Sequence, residues 1–327
     1  MADPYSVVKQ ALFSGKPTFT EKDVPDLTGK VTIVTGSNTG VGKEIARILY
    51  SKNARVYLLA RSEEKTQAAI ESIRAANPES RGELSYIHLD LADLPSVRTT
   101  AEEFLRRETK LDILFSNAGV AYPAKGSKTK QGYELQLGVN ALGTFALTQL
   151  LTPTLVSTAR AAPPGSVRAI WVSSSAAMNV DPKTLLAGVR DMESQSGLNK
   201  YFLTKLGNYL HAAEFAKRHA AADGVLSASL NPGNLDSELW RTQGPVARFV
   251  LRKTILYPAV YGAYTALYAG LSPHITADNS GAFVVPWGKI HTVSKAMADA
   301  SARKSEGGSG IGEEFWKWSE EEIKKYI

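Results

Sequence analysis

Cysteine is absent from all 327 residues. That excludes disulfide bonds, thiolate catalysis and cysteine-ligated zinc, and it fits a reducing, cytoplasmic setting. Histidine is scarce: the chain has five, dispersed along it, so no spacing offers a metal-ligand set and no metal is expected. Long basic runs are missing too. The net charge of +6 comes from 38 Lys and Arg interleaved with 32 Asp and Glu. That pattern argues against nucleic acid as a partner, while a moderately basic surface suits a polyphosphate ligand. The N-terminus, Met1-Ala2-Asp3-Pro4-Tyr5, lacks the continuous apolar core of a signal peptide. One stretch, Thr254 to Pro273, carries no charge and is long enough to raise a membrane span. However, Pro258 and Gly262 interrupt it, and Tyr257, Tyr261, Tyr264 and Tyr268 recur along it. A buried helix starting near Pro258 is the expectation, with peripheral membrane contact as the alternative.

What the chain does have is an apolar fraction of 43% and a repeated alternation of strand and helix patterns. Expected strands are Val31–Val34, Val56–Leu59, Leu84–Leu89, Ile113–Phe115, Val167–Ser173, Leu226–Leu230 and Gly281–Val285. Helices are expected between them, including long ones over Tyr133–Leu155 and Lys200–Arg218; residues 176–200 read as irregular. The pattern predicts an α/β fold with a doubly wound, mostly parallel sheet of about seven strands and helices on both faces. Residues 1–29 read as an extension, 30–303 as one domain, and 304–327 as a flexible joint (Gly307-Gly308-Ser309-Gly310) and an amphipathic C-terminal helix.

Between the first strand and the first helix lies Thr35-Gly36-Ser37-Asn38-Thr39-Gly40-Val41-Gly42. A glycine turn in that context is a phosphate cradle, because backbone N–H groups can approach a pyrophosphate closely where side chains are missing. Gly36, Ser37, Asn38, Gly40, Val41 and Gly42 are its candidate cofactor contacts. The second strand ends Leu59-Ala60-Arg61-Ser62, with no carboxylate at its tip to hold ribose hydroxyls. A guanidinium there can meet a 2′-phosphate with two hydrogen bonds, so Arg61 points to NADP(H); an ordinary solvated arginine is the alternative. Tyr201 and Lys205, four apart, share one face of a helix. An isolated phenol has a pKa near 10, leaving only about 0.1% ionised at pH 7. A neighbouring ammonium lowers that value, and the pair becomes a proton-transfer device next to a dinucleotide. A serine from Ser173-Ser174-Ser175 would hold the substrate oxygen.

These segments and several others resemble the short-chain dehydrogenase/reductase family over about residues 28–290. The turn is similar to its T-G-x-x-x-G-x-G element. Asp90-Leu91 is similar to the pair that contacts adenine, and Asn117-Ala118-Gly119 to the N-A-G motif, with Ser116 replacing a frequent asparagine. Asn140, Ser174, Tyr201 and Lys205 resemble the catalytic tetrad. Pro232-Gly233 with Leu235 and Ser237 resembles P-G-x-x-x-T, with serine for threonine. The family pattern of two serines after a valine, here Val172, selects Ser174; Ser175 stays open. The resemblance implies that Lys205 also grips the ribose and that Asn140 anchors a proton-relaying water. The long Ser174–Tyr201 spacing and the N-terminal extension resemble the retinol-dehydrogenase-like branch and related fungal reductases. A Rossmann fold and an NADP(H)-dependent carbonyl reductase or alcohol dehydrogenase are therefore expected, with a secondary-metabolite or lipid-like substrate. A non-redox isomerase, cyclase or lyase on the same fold, or a cofactor-sensing protein, are the alternatives. The substrate pocket is expected between residues 120–126, 176–200 and 234–257, with Tyr122, Met178, Leu235, Leu239, Trp240, Phe249 and Leu256 as candidate walls for a hydrophobic small molecule. Relatives pair through the two long helices, which leaves a homo-oligomer open.

Overall fold

A computed structural model describes residues 15–235 and 256–327. Val31–Thr35 forms β1, Gly40–Ser51 α1, Arg55–Ala60 β2, Glu63–Ala76 α2, Glu83–His88 β3, Leu94–Arg107 α3 and Ile113–Ser116 β4. Leu137–Gly143 then winds as π-helix and runs into α4, Thr144–Ala161. Next come β5 (Val167–Val172), α5 (Leu185–Arg190), α6 (Gly197–Asp223) and β6 (Val225–Leu230). The remaining elements are α7 (Ala259–Leu271), β7 (Phe283–Val285), β8 (Lys289–His291), α8 (Lys295–Ser301) and α9 (Ile311–Ile323). Local chemistry explains the boundaries. At α2, Ser62 accepts the Lys65 N–H, Glu63 and Glu64 fill the first turn, and Arg74 sits in the last, all complementing the helix dipole.

The strands form one sheet in the order β3-β2-β1-β4-β5-β6-β7-β8. Each pair up to β6–β7 is parallel, and β8 joins antiparallel to β7. This is a Rossmann-like α/β sheet. It has eight strands where about seven were expected; β8 is a short Lys-Ile-His edge strand too exposed to show an apolar pattern. Chain order reverses between β1 and β4, and at such a switch the loops leaving neighbouring strands diverge and open a crevice.

Strand side chains alternate between two cores. Ile33, Tyr57 and Leu59 enter one; Val34, Val56 and Leu58 enter the other. The first core is closed by α9, whose Phe315, Trp316 and Ile323 are buried. Phe145 of α4 meets Trp316 edge-on at 4.8 Å, and His211 of α6 stacks on Phe315 at 4.5 Å. The helix pair through which relatives associate, and which left a homo-oligomer open, is therefore partly covered by the chain itself. The second core is closed by Phe19, Val24 and Leu27 from the N-terminal segment. Thr18 Oγ1 ties that segment down by donating to the Gly288 carbonyl at 2.8 Å.

Other readings shift. The 307–310 segment, expected as a flexible joint, is held by backbone bonds: Gly308 N–H to Arg303, Ser309 to Asp299 and Gly310 to Ala302. Residues 176–200, expected to be irregular, contain α5, which buries Leu185 and Val189. The long helix expected from Tyr133 starts at Leu137 and opens with π-helical winding, which apolar periodicity cannot distinguish from α. Helix α7 forms behind Pro258, as expected, with Ala263, Ala266, Leu267 and Ala269 completely buried. Among the described residues, the helical stretch long and apolar enough to cross a membrane is Leu137–Ala161, most of which lies inside the core.

Candidate active site

Six consecutive parallel strands deliver a candidate segment from their carboxyl ends. The turn after β1 is the most constrained. Helix α1 begins at Gly40 with Thr39 as its cap residue, but no side chain caps its free N–H groups and no acidic residue occupies its first turn. Such a terminus favours an anion. Gly36 has φ +66°, a left-handed conformation that favours glycine. A Cβ at Gly42 would collide with the Gly36 carbonyl and lie 2.6 Å from Asn117 Nδ2. Thr35 Oγ1 accepts the N–H groups of Asn117 and Ala118 at 3.0 and 2.9 Å, and Asn117 Nδ2 donates to the Thr35 carbonyl at 2.9 Å. The N-A-G segment after β4 is thus sewn to the glycine turn. Ser37 Oγ is buried and has no hydrogen-bond partner among the described residues. A bare helix terminus, a cradle closed to any Cβ and an orphaned hydroxyl together fit a bound pyrophosphate.

The tetrad assembles across the switch point. Asn140, in the middle of the π-helix, is completely buried. Its Oδ1 accepts the Val120 N–H at 2.8 Å, and its Nδ2 donates to the Val120 carbonyl at 2.9 Å and to Thr204 Oγ1 at 3.2 Å. A clamp on both backbone groups of one residue fixes the loop after Gly119. A Cβ at Gly119 would lie 3.2 Å from Asn140 Oδ1 and 3.4 Å from Lys205 Nζ, so the N-A-G segment ends between these two side chains. Lys205 is buried; its Nζ donates to the Val172 carbonyl at 2.9 Å and lies 5.7 Å from the Tyr201 ring centre. Ser173 Oγ donates back to the Lys205 carbonyl at 2.6 Å. Ser174 caps the short helical turn after β5 by accepting the Ala176 N–H at 3.1 Å, and its side chain stands close enough to the Tyr201 phenol to act on it. Ser175 uses its carbonyl to accept from Asn179 Nδ2 at 3.1 Å.

The electrostatics differ from the expectation that Lys205 lowers the Tyr201 pKa. Burial pushes the Tyr201 phenol well above its ordinary range; the Ser174 side chain opposes the shift and nearby Tyr122 adds to it. Burial also lowers the Lys205 ammonium to about 8. The physical reason is desolvation, which penalises the charged form of both groups. A phenol that keeps its proton is in the state required of a proton donor.

The other candidates fall around this centre. Arg61 leaves β2 exposed, and among the described residues no ion-pair or hydrogen-bond partner is formed by its guanidinium. Asp90 Oδ1, after β3, accepts the Ala92 N–H at 3.0 Å, and Leu91 is buried. After β6, Gly233 N–H donates to Asn231 Oδ1 at 3.1 Å. Helix α7 joins this segment to the glycine turn: a Cβ at Gly262 would strike Leu235, and would lie 3.1 Å from Val41 Cγ2 and 3.3 Å from the Pro232 carbonyl. Ser237, Leu239, Trp240 and Phe249 lie outside the described residues. Of the candidate pocket walls, Met178 is buried, Leu256 is half-buried, and Tyr122 stands 5.5 Å from Tyr201, ring centre to ring centre. A surface cleft of about 510 Å³ lined by Thr18, Asp23, Tyr268, His274 and Lys289 contains none of these residues.

Sequence reasoning missed two organising residues, Asn208 and Gln136, and the bracing part that Ser173 plays. Ser173 and Asn208 hold the end of β5 to α6, Asn208 by donating to the Val172 carbonyl at 3.2 Å. Gln136 holds the loop bearing Tyr122. Asn208, three residues beyond Lys205, had a signal in its helical spacing; Gln136 had none.

The family model described as short chain dehydrogenase matches residues 30–184. A short-chain dehydrogenase/reductase of Phomopsis amygdali is 50% identical over 320 residues, covering 97% of this chain and 96% of its own. Another, from Neocamarosporium betae, is 45% identical and covers 100% of this chain and 95% of its own. Among solved structures, a short chain dehydrogenase from Burkholderia cenocepacia in complex with NADP superposes with a TM-score of 0.61 at 21% identity, over 80% of this chain and 98% of its own.

Proposed function

The chain belongs to the short-chain dehydrogenase/reductase family of oxidoreductases, and from that premise we propose that it interconverts a carbonyl and an alcohol on a hydrophobic small molecule, using NADP(H). The observation that carries this reading is that Ser174 and Tyr201 come together beside the buried ammonium of Lys205. A serine and a phenol held side by side can both reach one oxygen atom. In the reductive direction, Ser174 donates a hydrogen bond to the substrate carbonyl and Tyr201 gives its proton to the developing alkoxide. The cofactor supplies the hydride. When protonated, Lys205, 5.7 Å from the Tyr201 ring centre, would favour the phenolate left behind. The Asn140 side chain spends three hydrogen bonds on protein groups, which makes it first a brace for the 119–120 loop and leaves it little capacity to hold a water.

NADP(H) rather than NAD(H) is supported by the exposed, unpartnered Arg61 at the tip of β2 and by the lack of a carboxylate there. The backbone cradle of Gly36, Ser37, Asn38, Gly40, Val41 and Gly42 would hold the pyrophosphate, and Asp90, Leu91, Pro232, Gly233, Leu235 and Ser237 would flank the rest of the nucleotide. A cysteine-free chain suits work in the cytoplasm.

The test follows NADPH absorbance at 340 nm against a panel of hydrophobic ketones and aldehydes. Net oxidation of NADPH is expected. Tyr201→Phe should lower kcat by roughly 10²- to 10⁴-fold, the usual contribution of a positioned acid, with NADPH affinity nearly unchanged. Product formed without NADPH oxidation would replace this reading by a non-redox one.

A further inference from the structure

We propose that Tyr122 is the specificity-determining wall of this site, that Gln136 is the positioning residue holding it against Tyr201, and that the substrate lays a flat, conjugated face on it. The inference rests on the carbonyl–alcohol reading above and narrows its substrate class.

Tyr122 has φ +50°, one of two non-glycine residues with positive φ among the described residues. A bulky side chain persists in that region only where its surroundings over-determine it. The surroundings here are visible. Gln136, 1% exposed, accepts the Tyr122 N–H on Oε1 at 3.3 Å. Its Nε2 donates to the Gly197 carbonyl at 3.3 Å and to Glu134 Oε1 at 3.4 Å. Glu134 is itself fixed by accepting the Leu137 N–H at 2.9 Å. One buried amide thus bridges the Tyr122 loop and the first turn of α6, the helix that carries Tyr201. A buried amide whose donors and acceptor are all engaged has one orientation, so the loop is set relative to the phenol.

The result is an aromatic ring placed beside the reacting group and left open. The Tyr122 and Tyr201 ring centres are 5.5 Å apart, tilted by 43°, yet Tyr122 remains 40% exposed. Leu198, three residues before Tyr201 on the same helix, is 51% exposed. These are two of the four large apolar side chains that stand exposed among the described residues, and both flank the start of α6. A rigid, half-open aromatic face favours a planar ligand, because offset stacking adds to plain burial by about two- to tenfold in affinity. A saturated ring of the same size gains the burial alone.

The experiment uses the full chain saturated with NADP⁺, which binds ketones without turning them over. Dissociation constants are measured by ligand-observed NMR for 2-acetylnaphthalene and for its fully saturated decalin counterpart. The wild-type protein should bind the naphthyl ketone several-fold more tightly. Tyr122→Phe should keep that ratio. Tyr122→Leu should bring it near one with NADP⁺ affinity unchanged, and Gln136→Leu should do the same although residue 136 touches no ligand. Because Tyr122 is exposed, its variants keep the question answerable if Gln136→Leu fails to fold. A wild-type ratio near one, a ratio surviving Tyr122→Leu, or no saturable binding of either ketone overturns the wall. A ratio that survives in folded Gln136→Leu overturns the brace. If NADP⁺ itself does not bind, the cofactor reading fails, and the same ketone ratio taken on cofactor-free protein judges Tyr122 separately.

Discussion

At the carboxyl ends of β1 and β4 the site is mostly backbone. Its features are a left-handed glycine at 36, a helix terminus without a capping side chain, and a clearance at Gly42 too small for a methyl group. At the end of β5 and along α6 it is mostly side chain: Ser173, Lys205 and Asn208 are tied to the Lys205 and Val172 carbonyls, and Ser174 stands by Tyr201. The Asn140 clamp on Val120 links the two regions. A phosphate is recognised by shape and by N–H groups, which any sequence can present if glycine lets the backbone come close. Proton transfer needs particular functional groups with shifted pKa values. The first region should therefore respond to added bulk and the second to removed atoms.

Substitutions can break that contrast. The largest effect belongs to the side-chain region: Tyr201→Phe removes one oxygen and should cost kcat its roughly 10²- to 10⁴-fold, with NADPH titration unchanged. The backbone region should behave in reverse. Gly42→Ala adds one carbon against the Gly36 carbonyl and Asn117 Nδ2. Overpacking of this kind costs about 1–3 kcal/mol, so NADPH affinity should fall roughly 10- to 100-fold while kcat at saturating cofactor stays within a few-fold. Equal losses in kcat and affinity for both variants would show that the two regions are not separable. Arg61→Ala tests the cationic side chain proposed to meet a 2′-phosphate. A hydrogen bond to a charged group contributes about 1.5–3 kcal/mol, so the NADPH-over-NADH ratio of kcat/KM should drop by about tenfold or more. An unchanged ratio would return Arg61 to the solvated surface.

The two regions were unequally legible in the sequence. The glycine turn could be read locally, because strand, glycines and helix are contiguous and each glycine has a steric reason. Arg61 was readable from its place at a strand tip. Asn140, by contrast, sits in π-helix, and a seven-residue change of winding leaves no trace in apolar spacing. It was identified by resemblance alone. The consecutive serines show the same limit. Their surroundings separate only when β5 meets α6, with Ser173 bonded to the Lys205 carbonyl and Ser174 beside Tyr201. The Tyr122 loop, with its positive φ, donates a hydrogen bond to a residue fourteen positions later, and no local propensity encodes that. Strand β8 was invisible for a simpler reason: an exposed three-residue edge has no buried face to pattern.

Lys205 gives the smallest effect and a different way to sharpen the contrast, because it asks what the side-chain region costs the fold. Its ammonium is buried and lowered from 10.5 to about 8, with desolvation as the cause. Below pH 8 folded and unfolded chains both hold the proton, and the penalty is complete. Between pH 8 and 10.5 the unfolded chain keeps a proton that the folded chain has released, so this group makes stability rise with pH, by at most about 1.4 kcal/mol per unit. The Tyr201 phenol acts oppositely: its pKa is raised in the fold, so its contribution is lost only as pH climbs past the ordinary tyrosine range. Urea midpoints of cofactor-free protein between pH 7.5 and 9.5 therefore isolate the lysine. Lys205→Met should be more stable than wild type at pH 7.5, with the difference narrowing toward pH 9.5. A constant difference would mean that the amine is not buried as a cation. The Val172 carbonyl would then be its partner in the neutral form, and the positive charge next to Tyr201 would have to come from the oxidised cofactor alone.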